Sequence, residues 1–534
     1  MATTLDNVGR RASMGAAMRG CVRLGLVLAL AGLVLVGSAE VSASPGTTER
    51  VSVDSAGVQG DGSSEYPAIS ADGRYVAFHS SATTLVSGDT NGIRDVFVHD
   101  RETGFTERVS ISSGGVQGTG DSLSPAISSD GHYVAFQSFA ANLVVGDTNA
   151  APDILVRDRQ ASTTERVSLS SAEDEANGGS WSPALSADGR YVAFQSFASN
   201  LVSGDTNNLC QTDPDPELDN CEDVFVRDWQ AGNNTRVSLA TGGTQGNGGS
   251  GGWLAISSNG RYVAFTSDAT NLVAGDTNGF GDVFVRDRDT DADGIFDETG
   301  AVSTTRVSVD NTGAQSNGES YFAAISADGG LVAFGSEASN LVAGDTNVSC
   351  DNDGDTQYDD NCPDVFVRDR QASTTTRVSL DSAGVQGNAG SFTPAISGNG
   401  RYVAFRSLAS NLVVGDSNGQ GDVFVRDRLT PSTTRASVDN GGGQGNGQSL
   451  GPAINGDGHS VAFSSSASNL VPGDTNGYQD VFVRDRLMPV GGLAELPDVS
   501  GPSGPNYVLV AGLAAAALAL LAVGARYAGR RRAR

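Results

Sequence analysis

The tetrapeptide Gly-Asp-Thr-Asn returns along this chain at Gly88–Asn91, Gly146–Asn149, Gly204–Asn207, Gly275–Asn278, Gly344–Asn347 and Gly473–Asn476, with Ser417 replacing Thr in the copy at Gly415–Asn418. Successive copies stand 58, 58, 71, 69, 71 and 58 residues apart, so the base unit is 58 residues and three units carry insertions of 11–13. A fixed period in this range belongs to repeat architectures, in which each unit is one supersecondary element that buries its apolar face against its neighbours.

One unit shows what repeats. Four short strands fit Pro394–Ser397, Arg401–Ser407, Asp422–Asp427 and Arg435–Val438. Val, Phe, Tyr and Ile fill the strand positions, and helical periodicity is absent. The first turn of every unit is Asp-Gly or Asn-Gly, at Asp72, Asp130, Asp188, Asn259, Asp328, Asn399 and Asp457. That dipeptide predicts a two-residue type I′ hairpin, which needs positive φ twice. Seven units of four strands predict an all-β, seven-bladed β-propeller over residues 44–486. The last unit lacks a fourth strand and the first begins with a spare one, Arg50–Val53, which is expected to pair beside Asp480–Asp485 and close the ring.

The stretches Pro67–Ser80, Pro125–Ser138, Pro183–Ser196 and Pro394–Ser407, with degenerate copies at 254–267, 323–336 and 452–465, resemble the WD40-like PD40 repeat of TolB-type propellers. The resemblance covers about residues 50–486 and implies the fold. It says little of function, because that family includes partner-binding proteins and the propeller halves of peptidases.

Strand parity puts the Gly-Asp-Thr-Asn loops and the Val-Gln-Gly-Asn-Gly links on one face, with the insertions Cys210–Cys221 and Cys350–Cys362. The third insertion, Asp289–Glu298, falls on the opposite face. Pairing of Cys210 with Cys221 and of Cys350 with Cys362 is the economical reading, worth roughly 3 kcal/mol for loops this short. Pairing between the two insertions is the alternative. Asp289, Asp291 and Asp293 followed by Gly294 place oxygens at alternate positions before a sharp bend, as a calcium loop does. The segment resembles an EF-hand or dockerin loop, with Asp297 or Glu298 replacing the missing twelfth-position ligand. Asp351, Asp353, Asp355, Asp359 and Asp360 resemble a thrombospondin type-3 calcium repeat. The shorter sets Asp89, Asn91, Asp95 and Asp276, Asn278, Asp282 resemble shortened integrin-type calcium loops, and equally suit Asx-turns. Gln59, Gln117, Gln245, Gln315, Gln386 and Gln444 recur in the links, either lining a central funnel or satisfying buried backbone.

The two ends carry membrane signals. Arg10, Arg11, Arg19 and Arg23 precede an apolar run from Leu24 to Val36, and Val41-Ser42-Ala43 offers a cleavage site, so residues 1–43 read as a signal peptide. Residues 487–506 read as a Pro/Gly-rich linker. Tyr507–Ala525 holds 19 uncharged residues, about 28 Å as a helix, and is expected to span a bilayer. Five arginines follow in the tail 526–534, which places it in the cytoplasm and the propeller outside. Leu496-Pro497-Asp498-Val499-Ser500-Gly501 resembles a degenerate LPxTG cell-wall sorting signal, with Val499-Ser500 where Thr-Gly should stand.

Charge narrows the partners. The chain has 34 basic residues, all Arg, against 62 acids, and a net charge of -28. Such a surface repels phosphate backbones and argues against nucleic acid. Of the four His, His132 and His459 merely replace the turn Arg, His79 and His99 stand at other repeat positions, and no nucleophile motif is present. The expectation is an exported, surface-anchored, calcium-supported propeller that binds an extracellular protein or glycan without catalysis. The alternative is a propeller enzyme acting on extracellular glycans as a lyase or hydrolase. An active site should break the repeat symmetry, so asymmetric carboxylates with His or Arg at the funnel mouth favour the enzyme.

Overall fold

The computed structural model describes residues 46–206, 221–347 and 362–486. The expected signal peptide (1–43), linker (487–506), membrane helix (507–525) and basic tail (526–534) lie outside them. Among the described residues no helix is long and apolar enough to cross a membrane.

The described chain forms seven antiparallel sheets of four strands each, a seven-bladed β-propeller. The first complete blade runs Ser64–Ile69, Tyr75–Ser80, Asp95–Asp100 and Phe105–Arg108 from the inside outward. Its two middle strands are apolar on both faces because each blade is packed between two others. Val76 and Phe78 pack with Val481 and Val483 of the last blade, whereas Ala77, Val96 and Val98 pack with Val134 and Phe136 of the next. Seven such clusters form the core. Full burial of each Val or Phe stabilises by about 1.5–3 kcal/mol. That is why the second and third strands read as near-continuous apolar runs.

The ring closes through the N-terminal strand. Thr48–Arg50 pairs antiparallel with Asp480–Asp485, Thr48 opposite Arg484 and Arg50 opposite Phe482. The pairing strand lies earlier than the expected Arg50–Val53. Val51 still donates to the Val481 carbonyl at 2.9 Å, but Val53 turns away and bridges Gln59. The outer strands shift in the same sense, to Ser432–Arg435 where Arg435–Val438 was expected, with Val438 bridging Gln444.

The Asp-Gly turns also differ from expectation. Only the glycine has positive φ, Gly73 at 78°, so these are not type I′ turns. Gly73 N–H donates to the Ser70 carbonyl, and Ser70 N–H to the Tyr75 carbonyl, both at 2.9 Å. The Ser70 hydroxyl donates to Asp72 and accepts from the Tyr75 N–H, which holds a longer loop built on one left-handed residue. These seven loops lace one end of the channel. Backbone bonds run from Ala71 to Ser129, Ser129 to Ala187, Ala187 to Ser258, Ser258 to Ala327, Ala327 to Gly398, Asn399 to Gly456 and Gly456 back to Ala71.

Candidate functional site

The opposite end of the channel is where the repeats stop agreeing. The innermost strand of every blade is broken by a bulge, for example between Glu65 and Ala68. One residue there takes left-handed φ: Tyr66, Ser124, Ser182, Gly252, Phe322, Thr393 and Gly451, at 46–75°. For a residue with a β-carbon this conformation costs roughly 1–2 kcal/mol. A bulge re-aims a side chain, and the strain kept in the five blades where this residue has a β-carbon is a reason to look for function there. Blade four has one residue more in this strand, Ser250–Ile256, which adds Trp253.

These side chains line a cavity of about 570 Å³ at the mouth. Tyr66 of the first blade stacks on Trp253 of the fourth, with centroids 5.6 Å apart and planes 12° from parallel. Trp253 meets Phe322 edge-on at 5.8 Å. Tyr66 and Trp253 keep 43% and 45% of their surface exposed, so these large rings face open space rather than a core.

Charge at the mouth is divided between two sides. Blades three to five bring Glu222, Asp268 and Glu319 together. A β-carbon at Gly251 would stand 2.8 Å from Glu222 Oε2, and one at Gly281 would stand 2.8 Å from Glu319 Oε2 and 2.9 Å from Asp268 Oδ1. Burial, then the Asp268 charge, push Glu222 up to about 7. Burial raises Asp268 as well, and Glu319 for the same cause although Gly281 N–H donates to it at 2.8 Å. Glu222, Trp253 and Asp268 share a smaller cavity of about 260 Å³ with Tyr321. On the other side stand His79, beneath Tyr66 at 5.2 Å and 3.9 Å from Glu65, and Arg406. Burial and then Arg94 lower His79 to about 4, so it is neutral at pH 7.

None of these residues was singled out by motif. The signal that finds them is the difference between repeats. The position of His79 is Gln137, Gln195, Thr266, Gly335, Arg406 and Ser464 in the other blades, inside an otherwise recurring Val-Ala-Phe-x-Ser stretch.

The recurrent polar residues have structural work. Asp89 and Asp95 share Arg108 at 3.0 Å each, and the same trio recurs as Asp276, Asp282 and Arg306. Asn91 donates to Asp95 and to the Gly118 carbonyl, and Asn278 to Asp282 and the Ser316 carbonyl. Gln117 donates to Thr90 and accepts from Arg108. In the second blade Glu175 takes the place of that Gln, and Asp147, Asp153 and Glu175 approach one another around Arg166.

Asp289, Asp291 and Asp293 lie together on the opposite face, each with a carboxylate oxygen within 4.8 Å of the others, and could hold a metal ion. Asp289 is buried and accepts from Asp293 and Gly294 N–H at 3.1 Å. The Asp297 side chain is engaged by Arg288 at 2.6 Å, and the Glu298 carbonyl accepts from Ala301 N–H. Asp351, Asp353, Asp355, Asp359 and Asp360 lie outside the described residues, as do Cys210 and Cys350. Cys221 and Cys362 are buried at the roots of their insertions.

No protein-family model matches the chain, and no curated protein matches it. Solved structures do share its architecture. An oligogalacturonate lyase in complex with manganese is 12% identical, with a TM-score of 0.46 over 83% of this chain and 96% of that one. The β-propeller domain of the Trilobed protease from Pyrococcus furiosus is 10% identical, with a TM-score of 0.44 over 81% and 99%. TolB from Acinetobacter baumannii is 12% identical, with a TM-score of 0.34 over 78% and 82%. They include enzymes and a non-enzymatic propeller, and the likeness is one of fold.

Proposed function

We propose that this protein is an exported, surface-anchored propeller whose funnel mouth binds an extracellular glycan without transforming it, with calcium supporting the loop at Asp289, Asp291 and Asp293. The observation that carries the reading is the aromatic set of exposed Tyr66 and Trp253 with half-buried Phe322 inside a concave, sizeable cavity. Flat aromatic faces beside a few polar groups suit the amphipathic ring of a sugar. An extracellular protein is the other partner class the sequence suggests, and it would need a larger apolar surface than two ring faces supply. Export and anchoring rest on residues 1–43 and 507–525, and a tag after Arg534 tests them: it is expected inside intact cells, with the propeller open to added protease. The binding test uses Trp fluorescence. With Trp181 and Trp229 changed to Phe, titration of soluble cell-envelope oligosaccharides should shift the remaining Trp253 emission, and Tyr66→Ala should abolish the shift. Binding that survives Trp253→Ala unchanged overturns the reading.

A second reading, an enzyme acting on the glycan, meets the criterion set from the sequence, because asymmetric carboxylates stand at a mouth that also holds His79 and Arg406. Glu222, held near 7 beside two other carboxylates, has the protonation behaviour of a general acid in glycoside cleavage. Turnover of an envelope glycan that Glu222→Gln abolishes, with binding retained, would replace the non-catalytic reading by this one.

A further inference from the structure

Arg406 is unlike every other arginine among the described residues. Each of the others donates a hydrogen bond or holds an ion pair. Arg406 has neither. Its Nε is buried without a partner, and its only recorded neighbour interaction is the Phe392 ring, 5.6 Å away. In a chain of net charge -28 a guanidinium without a carboxylate is not for want of acids. Leaving a buried charged donor unmatched costs stability, so the fold sustains a loss here.

Three more unmatched groups line the same cavity. Thr393 Oγ1, Ser464 Oγ and Gln479 Nε2 are buried and have no partner, and Ser464 is only 2% exposed. All four groups can donate, and they come from blades six and seven. Gly421 leaves the space for Arg406, since a β-carbon there would stand 2.9 Å from its Nε. Burial lowers the Arg406 pKa, as expected for a cation with no counter-charge. The acids Glu222, Asp268 and Glu319 belong to blades three to five, and Glu65 of blade one is the one carboxylate among the described residues lining the cavity itself.

We propose that the ligand is an acidic saccharide, its anionic group held by Arg406 with the Thr393 and Ser464 hydroxyls and the Gln479 amide, and its sugar ring against the exposed edges of Tyr66 and Trp253. This rests on the glycan reading of the funnel and adds the ligand's charge and orientation. A carboxylate or a sulfate would both suit donors lining one wall of the cavity. The acids across the mouth accept hydrogen bonds from sugar hydroxyls and exclude the anion from that side.

The test is calorimetry on the full chain with three probes: methyl β-D-glucuronide, glucose 6-sulfate and neutral methyl β-D-glucoside. At least one anionic probe should bind more tightly than the neutral one, and the tighter of the two identifies the anion. Arg406→Gln should weaken that probe about tenfold and leave the neutral one unchanged. Ser464→Ala should weaken it less, about threefold. The Arg406→Gln variant should melt no lower than the parent, because it breaks no bond. Neutral and charged probes that bind alike, or anion binding indifferent to Arg406→Gln, overturn the charge assignment while leaving the glycan funnel standing. Failure of all three probes to bind overturns both.

Discussion

Two sets of charged groups occupy the same end of this propeller and obey opposite rules. The Arg108, Asp89 and Asp95 trio is written into the blades with little change and is closed on itself, each cation facing two acids. The mouth residues Glu222, Arg406 and His79 occur once each: Glu222 faces another acid, Arg406 has no ion pair, and His79 is neutral at pH 7. In a repeat protein whatever holds one unit to the next must recur, because every interface poses the same problem. A ligand that fits one mouth has no seven-fold symmetry, so its contacts appear as departures from the repeat.

That contrast can be broken by experiment. The largest effect should come from the frame. Deleting residues 46–53 removes the closing strand and leaves Asp474 and Asp480 without Arg50. A loss on the order of 5 kcal/mol is expected, read as a lowered urea midpoint. Next, Asp95→Ala leaves Arg108 and the Ser110 hydroxyl short of their buried partner. It should cost about 3–5 kcal/mol by the same measurement, and a neutral result would dissolve the distinction between frame and mouth.

The mouth should respond in the other direction. Glu222 titrates near 7 in the folded protein against 4.5 unfolded. Below pH 4.5 both states are protonated and its burial is harmless. As pH rises through 7 the folded state must hold an ionised carboxylate that the unfolded state solvates better, and stability falls. Glu222→Gln should therefore melt with the parent at pH 4 and gain on the order of 2 kcal/mol at pH 8. A variant less stable at pH 8 would mean that Glu222 belongs to the frame. The smallest effect concerns the far face. Changing Asp289, Asp291 and Asp293 to Asn should remove one calcium site in calorimetry, while lowering the calcium-loaded melting point by only a few degrees. Unaltered calcium uptake would take the metal away from this loop.

Much of the frame was legible in the sequence. The period counted the blades, and the third strand, Asp422–Asp427, falls where the apolar run put it, because packing on both faces leaves no other residue type room. Asp72-Gly73 marked a turn but not its kind, since the Ser70 side chain selects a loop with one left-handed residue. Arg50–Val53 gave the closing strand with a shifted register, because the local bridge from Val53 to Gln59 draws its end away from the last blade. The mouth was not legible by motif. Tyr66, Trp253 and Arg406 belong to strands far apart in sequence, and their meeting depends on bulges whose φ values leave no residue signature, as Tyr66, Ser124, Gly252 and Thr393 all adopt them.

The closing strand has one consequence beyond stability. Asp485 N–H donates to the Thr47 carbonyl at 2.8 Å, so the first and last described residues of the ring are neighbours. The order in which blades are synthesised is then independent of the order in which they stand. Joining Gly46 to Arg486 by a short linker and opening the chain in a link between two blades, such as that between Arg108 and Ser122, would give a circular permutant with every blade made from one continuous segment. In that chain each inter-blade contact is the same, and any change in folding rate reports the altered sequence distances at the old and the new opening.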